Sequence, residues 1–221
     1  MSDTKITTVI FDLDGTLLDT LEDLKNATNY ALKTCKMPER TLEEVRRFVG
    51  NGVKNLMIRA VPGGEENPQF ECAFDTFKEY YGAHCNDATR AYDGIPALLQ
   101  ELKNNGYAMA IVSNKIDSAV QELKNRYFPQ VEVAIGDREN LSRKPQPDSV
   151  YLALKELGRR KEEAVYVGDS DVDLDTARNA GLPCISVLWG FRDKAFLTGH
   201  GAKCFVEKPM EITDVLKRMN Q

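Results

Sequence analysis

The chain is short of the residues on which zinc and disulfide chemistry depend. It has two histidines, His84 and His200, and they form no ligand cluster, so zinc catalysis is unsupported. Its five cysteines (Cys35, Cys72, Cys85, Cys184 and Cys204) are scattered, odd in number and without a Cys-x-x-Cys pair. They are expected to be reduced packing thiols in a cytosolic protein. No apolar run reaches the roughly 18 residues that a membrane span requires. Met1-Ser2-Asp3-Thr4-Lys5 lacks a signal-peptide pattern, so a cytoplasmic location is expected. Positive charge is also scarce. Twenty-nine Lys and Arg face 34 Asp and Glu, for a net charge of −5, and no basic run stands out, which argues against nucleic acid as a partner.

What is present permits one large domain, or a domain with a smaller insert: 221 residues, 42% of them hydrophobic. The organising stretch is Thr7-Thr8-Val9-Ile10-Phe11-Asp12-Leu13-Asp14-Gly15-Thr16. A short apolar, β-branched run suits a buried strand, and it ends in two aspartates and a glycine. Residues two apart on an extended strand point the same way, so Asp12 and Asp14 can approach one cavity. Open parallel sheets place their ligands at that strand end. Two neighbouring carboxylates repel, and a divalent cation is the simplest group to reconcile them. Asp-Gly after a strand is also a hairpin signal, but a helix-like segment follows Thr16 rather than a second alternating strand.

Further along, Leu21, Leu24, Thr28, Ala31 and Leu32 recur at helical spacing over residues 20 to 36, with Thr20 and Asp23 resembling a capping box. Thr41 and Glu44 form a better one and start a short helix to about Val49. Gly50-Asn51-Gly52 breaks it, and helical character resumes from Val53 to Val61. A largely aromatic stripe of Phe70, Ala73, Phe74, Phe77, Tyr80 and Tyr81 predicts a helix from about Pro68 to His84 and the core of a small bundle. From residue 92 the grammar becomes strand–helix alternation. Strands are expected over 107–112, 131–136, 164–168, 184–188 and 202–206. Helices are expected over 96–104, 117–125, 149–157, 172–180 and 211–219. This alternation implies an α/β fold, a Rossmann-like doubly wound parallel sheet, with an α-helical cap inserted after the first strand. The expected domains are a core of residues 1–18 and 92–221 and a helical cap of residues 19–91.

Four polar clusters fall at strand ends or between core elements: Asp12 with Asp14, Ser113 with Asn114, Lys144, and Asp169 with Asp173. Oxygen ligands suit Mg2+, while hydroxyl, amide and ammonium groups suit an anion. A Mg2+-dependent phosphoryl site follows as the expectation. Asp171 and Asp175 are expected to be solvated.

Asp12-Leu13-Asp14-Gly15-Thr16, Ser113-Asn114-Lys115, Lys144-Pro145 and Gly168-Asp169-Ser170-Asp171-Val172-Asp173 resemble the four ordered motifs of the haloacid dehalogenase-like hydrolase superfamily. Within it, the chain is similar to the phosphoglycolate phosphatase-like branch with a helical cap. The resemblance implies a phosphatase acting on a small phosphorylated metabolite, with Mg2+ as cofactor. Asp12 would be the nucleophile and Asp14 the general acid and base. Gly15, Thr16, Ser113, the Asn114 amide and Lys144 would hold the phosphoryl group, and Lys144 would neutralise charge on Asp12 as well. Asp12, Asp14 (through its main-chain carbonyl), Asp169 and Asp173 (directly or through water) would hold the metal. Arg46, Gly50 and Asn51 resemble a substrate-specificity loop, where Arg46 or Lys54 would meet a substrate carboxylate. Sugar-phosphate mutases of the superfamily usually carry a lysine where this chain has Val49, which argues against mutase activity. Asp14 argues against a dehalogenase, since a departing halide needs no proton. Inorganic pyrophosphate, a phosphomutase reaction and a non-catalytic phospholigand-binding role stand as alternatives. The expected assembly is a monomer or dimer.

Overall fold

A computed structural model describes residues 5–221; residues 1–4, on which the leader-peptide reading partly rests, lie outside the described residues. In chain order the strands and helices are β1 (Thr8–Phe11), β2 (Leu18–Asp19), α1 (Leu21–Thr34), α2 (Leu42–Phe48), α3 (Gly52–Ala60), α4 (Phe70–His84), β3 (Arg90–Ala91), α5 (Ile95–Asn104), β4 (Ala108–Ile116), α6 (Asp117–Tyr127) and β5 (Val133–Asp137). They continue with α7 (Asp148–Leu157), β6 (Ala164–Gly168), α8 (Asp171–Ala180), β7 (Cys184–Val187), α9 (Lys194–Gly199), β8 (Phe205–Val206) and α10 (Glu211–Met219). The chain divides into two compact units. One comprises the residues up to Leu17 with Ala91–Gln221, and the other is Leu18–Arg90.

The larger unit is built on a six-stranded sheet in the order β5-β4-β1-β6-β7-β8, with every pairing parallel. The first strand in sequence is therefore interior to the sheet. All four of its residues are buried, as expected of a strand covered on both faces. Strand alternation sends Ile10 to one side, where it meets Val112, Ile135 and Tyr166 of the sheet and Val150, Leu154, Ala177 and Ala180 of α7 and α8. Gly106, at φ 76°, ends α5 and turns the chain into β4.

The Asp-Gly turn after β1 does not make a hairpin with it. The two-residue β2 pairs with β3 instead. Strand β4 runs through Ser113-Asn114-Lys115 to Ile116, past the predicted end at Val112, because β5 continues beside it with Ile116 opposite Asp137 and a register shift between. Helix α9, capped by the Asp193 side chain, was not expected, and β8 is shorter than the 202–206 segment. Among the described residues, no helix is long and apolar enough to cross a membrane.

The smaller unit is helical. The buried faces of α1 (Leu21, Leu24, Ala27, Thr28, Ala31, Leu32) and α4 (Phe70, Ala73, Phe77, Tyr81) lie along the predicted stripes, with Phe74 and Tyr80 of the α4 stripe only half-buried at its margin, and these two helices pack together. The capping box at Thr41 and Glu44 is formed. The one proposed at Thr20 and Asp23 is not, for Thr20 makes no side-chain cap bond. Asp23 is only 2% exposed and reaches across the unit, accepting from the Ala88 amide at 2.9 Å, the Thr89 amide at 2.8 Å and the Thr89 hydroxyl at 2.8 Å. A carboxylate holding three donors of a distant segment outcompetes a local cap. Asp23→Ala strands the buried Thr89 amide and removes the partner of the half-buried Ala88 amide, and is expected to lower unfolding free energy by about 2 kcal/mol, with Asp23→Asn milder. Urea denaturation checks this, and an unchanged midpoint for the Ala variant would remove the role.

Candidate active site

Parallel pairing sets the geometry. Phe11 lies opposite Ile111 of β4 and Val167 of β6, and the Asp12 amide donates to the Val167 carbonyl at 2.9 Å. The polar residues at the carboxyl ends of β1 and β6 and in the last part of β4 therefore emerge at one sheet edge, Asp12 between Ser113 and Asp169. Gly15 turns the chain at φ 88°. A side chain there would be strained and would also collide, since a Cβ would lie 2.5 Å from Asp169 Oδ2.

Lys144 is the hub. Its Nζ lies 2.8 Å from Asp12 Oδ1, 2.8 Å from Asp173 Oδ1 and 3.0 Å from the Tyr166 hydroxyl, and that hydroxyl donates to Asp173 at 3.2 Å. The Asn114 carboxamide fixes the lysine's backbone from both sides, accepting from the Lys144 amide at 2.9 Å and donating to its carbonyl at 3.1 Å. The Asn114 side chain is thus occupied in holding the loop rather than facing the cleft. The Lys144–Pro145 peptide is cis. Ser113 is buried, and its Oγ accepts from the Lys115 amide at 3.2 Å.

Asp169 and Asp173 are fully buried. Asp169 accepts from the Thr16 hydroxyl at 3.0 Å and the Phe191 amide at 2.7 Å. Asp173 Oδ2 takes the Asp169 and Ser170 amides at 3.2 and 3.1 Å and the Ser170 hydroxyl at 2.6 Å. With Lys144 and Tyr166 on its other oxygen, its lone pairs are saturated. Asp171, expected to be solvated, is instead half-buried with Arg192 3.6 Å away; Asp175 is open to solvent and pairs with Arg178.

Oxygens of Asp12, Asp169 and Asp173 lie within 4.8 Å of one another. Lys144 contacts two of these three buried carboxylates, Asp12 and Asp173, while Asp169 feels the more distant charge of Arg192, so the cluster holds surplus negative charge. Burial and the Asp173 charge push the Asp12 carboxyl well above its ordinary range, against the pull of Lys144. Burial and Asp173 push Asp169 from 3.8 up to about 7. Burial works against the Lys144 charge, but Asp12 and Asp173 outweigh it and raise its pKa. An all-oxygen donor set in surplus negative charge fits a hard divalent cation such as Mg2+.

The structure thus brings together Asp12, Asp14, Gly15, Thr16, Ser113, Asn114, Lys144, Asp169 and Asp173 within the larger unit. The Thr16 hydroxyl is committed to Asp169. Arg46, Gly50 and Asn51 belong to the smaller unit. There Arg46 lies 3.8 Å from Glu43, Gly50 has φ 132°, and the Asn51 carboxamide oxygen accepts from Arg59 at 2.9 Å. Lys54 pairs with Glu65 at 2.7 Å. Sequence reasoning missed Tyr166, which reads as one more apolar strand residue. It also missed Phe191, which contributes only a backbone N–H, and Gly190, where a Cβ would lie 2.4 Å from both Asp169 Cβ and the Gly15 carbonyl. Lys115 was within a motif but had no role; its Nζ lies 3.2 Å from Asp14 Oδ1. Strand alternation from Ser113 was the available signal.

The family model described as haloacid dehalogenase-like hydrolase matches residues 9–187. Phosphoglycolate phosphatase 1 of Pseudomonas aeruginosa is 33% identical over 95% of this chain and 76% of its own length. The pyrophosphatase PpaX of Bacillus cereus is 28% identical over 98% of this chain and 99% of its own. A solved structure from Lactobacillus delbrueckii subsp. bulgaricus, provisionally assigned as a phosphoglycolate phosphatase, superposes with a TM-score of 0.92 at 34% identity, covering 96% of this chain and 98% of that one.

The raised Asp169 pKa makes metal-free stability pH-dependent. Folding favours its protonated form, so stability falls as pH rises from about 3.8 through about 7, where the buried group is forced to ionise. Without divalent cations, melting temperature should drop over that interval in the native chain and less in Asp169→Asn. Asparagine keeps an acceptor for the Phe191 amide, and the Thr16 hydroxyl can rotate. Mg2+ should restore stability at pH 8 in the native chain only. Equal Mg2+ stabilisation of the Asn variant, read by differential scanning fluorimetry, would remove Asp169 as a ligand.

Proposed function

The chain belongs to the haloacid dehalogenase-like hydrolase family, and on that premise we propose that it is a Mg2+-dependent phosphatase working through a phosphorylated Asp12. The observation that carries the reading is the buried convergence of Asp12, Asp169 and Asp173 on one point, with Lys144 bridging Asp12 and Asp173. Asp12 is the carboxylate of the three with 8% exposure, the others having none, so it is the one able to meet a substrate.

In the first half-reaction an Asp12 oxygen attacks phosphorus, the ester P–O bond breaks, and protonated Asp14 gives its proton to the departing alkoxide. In the second, Asp14 as carboxylate takes a proton from water, whose oxygen bonds to phosphorus while the Asp12–phosphorus bond breaks. Free phosphate leaves, and Asp14 is protonated again. Lys144 holds Asp12 in place and balances charge on the phosphoryl oxygens, with Ser113 and the Asn114 main-chain amide as further donors. Asp12, Asp169 and the Asp14 carbonyl would hold Mg2+, and Asp173, committed to five protein donors, would contribute its charge beside them. When bound, the ion supplies charge neutralisation at the transferring group.

The larger unit reads phosphate, and selection of the remainder is assigned to the smaller unit. Phosphoglycolate is the favoured substrate, supported by the Pseudomonas aeruginosa relative. Pyrophosphate is the second reading, supported by the Bacillus cereus relative. Val49 in place of a lysine speaks against a sugar phosphomutase, and the intact acid cluster speaks against a purely binding role.

Asp12→Asn should fold and lose turnover to background with every phosphate ester, and phosphate release at the native rate would end the nucleophile assignment. Arg46→Ala should raise KM for phosphoglycolate about tenfold, a loss of about 1.4 kcal/mol, with a far smaller effect on an aryl phosphate. Equal changes on both substrates would take Arg46 out of carboxylate recognition.

A further inference from the structure

Lys144 neutralises Asp12, but it is not the only buried ammonium at this sheet edge. Lys115 sits on β4 with its side chain only 5% exposed, and its Nζ lies 3.2 Å from Asp14 Oδ1. A buried ammonium without an anion is destabilising by several kcal/mol, so a lysine kept here requires a reason. Its backbone is held firmly. The Lys115 amide donates to Ser113 Oγ at 3.2 Å, and β5 passes so close that a Cβ on Gly136 would come within 2.8 Å of the Lys115 carbonyl.

Asp14 is placed differently from the other acids. Its side chain is 19% exposed, the most open of the site carboxylates, and it stands on a turn beyond the end of β1. It lies two residues from Asp12 yet outside the cluster formed by Asp12, Asp169 and Asp173. The two aspartates are sorted onto different lysines, Asp12 onto Lys144 at 2.8 Å and Asp14 onto Lys115 at 3.2 Å.

We propose that Lys115 is a positioning residue for proton transfer, holding the Asp14 carboxyl aimed at the leaving-group oxygen and apart from the Asp12–Lys144 pair. The inference rests on the phosphatase reading above. Lys115 neither gives nor takes a proton in the reaction. Asp14 protonates the departing oxygen and recovers a proton from water, while Lys115 fixes where that carboxyl lies. Aim of this kind matters in proportion to how much the leaving group needs a proton. An alkoxide is a strong base and needs one, whereas p-nitrophenolate departs without it.

The test compares an alkyl phosphate with p-nitrophenyl phosphate at saturating Mg2+. Lys115→Met should lower kcat on the alkyl ester by about a hundredfold, the scale of lost general acid catalysis, with KM little changed. The loss on p-nitrophenyl phosphate should be at least about tenfold smaller, and the activity remaining there also reports that the variant folds. In an Asp14→Asn background the same substitution should cost nothing further on the alkyl ester, because the group it positions has gone. Lys115→Gln carries the same comparison if the Met variant does not fold. Equal losses on the two esters, a rise in KM as the main effect, or additivity with Asp14→Asn would each overturn the inference, the first two pointing to direct contact with substrate. If the native chain releases phosphate from neither ester, the phosphatase reading fails instead, and the two failures are told apart.

Discussion

Burying more negative than positive charge at one point is the constraint around which the larger unit is arranged. Asp12 and Asp173 share one ammonium, that of Lys144, and Asp169 crowds against them, in a place water barely reaches. Each ion taken from water costs several kcal/mol before any partner is counted. The fold meets that cost unevenly. Asp173 is given five donors and is satisfied by the protein alone. Asp169 receives only a hydroxyl and one amide, and Asp12 is left with Lys144 and a slight opening to solvent. The unresolved repulsion is therefore concentrated on the two acids proposed to touch the metal, and it is dissipated only by protonation or by a cation.

Such crowding demands backbone without side chains. Gly15, Gly168 and Gly190 all stand where a Cβ would come within 2.5 Å of Asp169 or Asp173. These glycines let three loops close on one point, and the parallel sheet ensures that the loops start from the same edge. Loop chemistry and strand order are thus one design. A central β1, flanked by β4 and β6, is what lets Asp12 meet partners from both sides.

Much of this was legible because strand periodicity is local. Asp12 and Asp14 declared themselves by a buried run, a two-residue spacing and a glycine. The elements of the larger unit followed from alternating strands and helices. Lys144 had no periodic signal, and only its place among ordered motifs marked it. Tyr166 was hidden, since its ring is a good strand residue and its hydroxyl matters only when Lys144 and Asp173 arrive from elsewhere. Phe191 was beyond reach, for a main-chain donor leaves no trace in side-chain identity. Two misreadings share one cause. Thr20 with Asp23 satisfied a local capping pattern, and Val112 looked like a strand end, yet Ala88, Thr89 and the continuing β5 supplied partners that no local pattern contains.

The smaller unit, to which substrate selection is here proposed to fall, is braced with the same economy. The Gly50-Asn51-Gly52 turn contains two residues at positive φ, 132° and 81°, and reads as flexible. Arg59 restrains it, donating to the Phe48 carbonyl at 2.6 Å on one side and to Asn51 Oδ1 at 2.9 Å within it. Arg46 rides on α2, whose start is fixed by the Thr41 and Glu44 capping box. A guanidinium on a capped helix beside a braced turn has lost most of its backbone freedom before any ligand arrives. Recognition by such a group loses less ordering entropy than recognition by a loose loop, so weak contacts suffice to discriminate. On the proposed division of labour, the glycines supply the shape of the turn and Arg59 its rigidity. Substrate range would then be altered more readily by changing Arg46 than by loosening the turn.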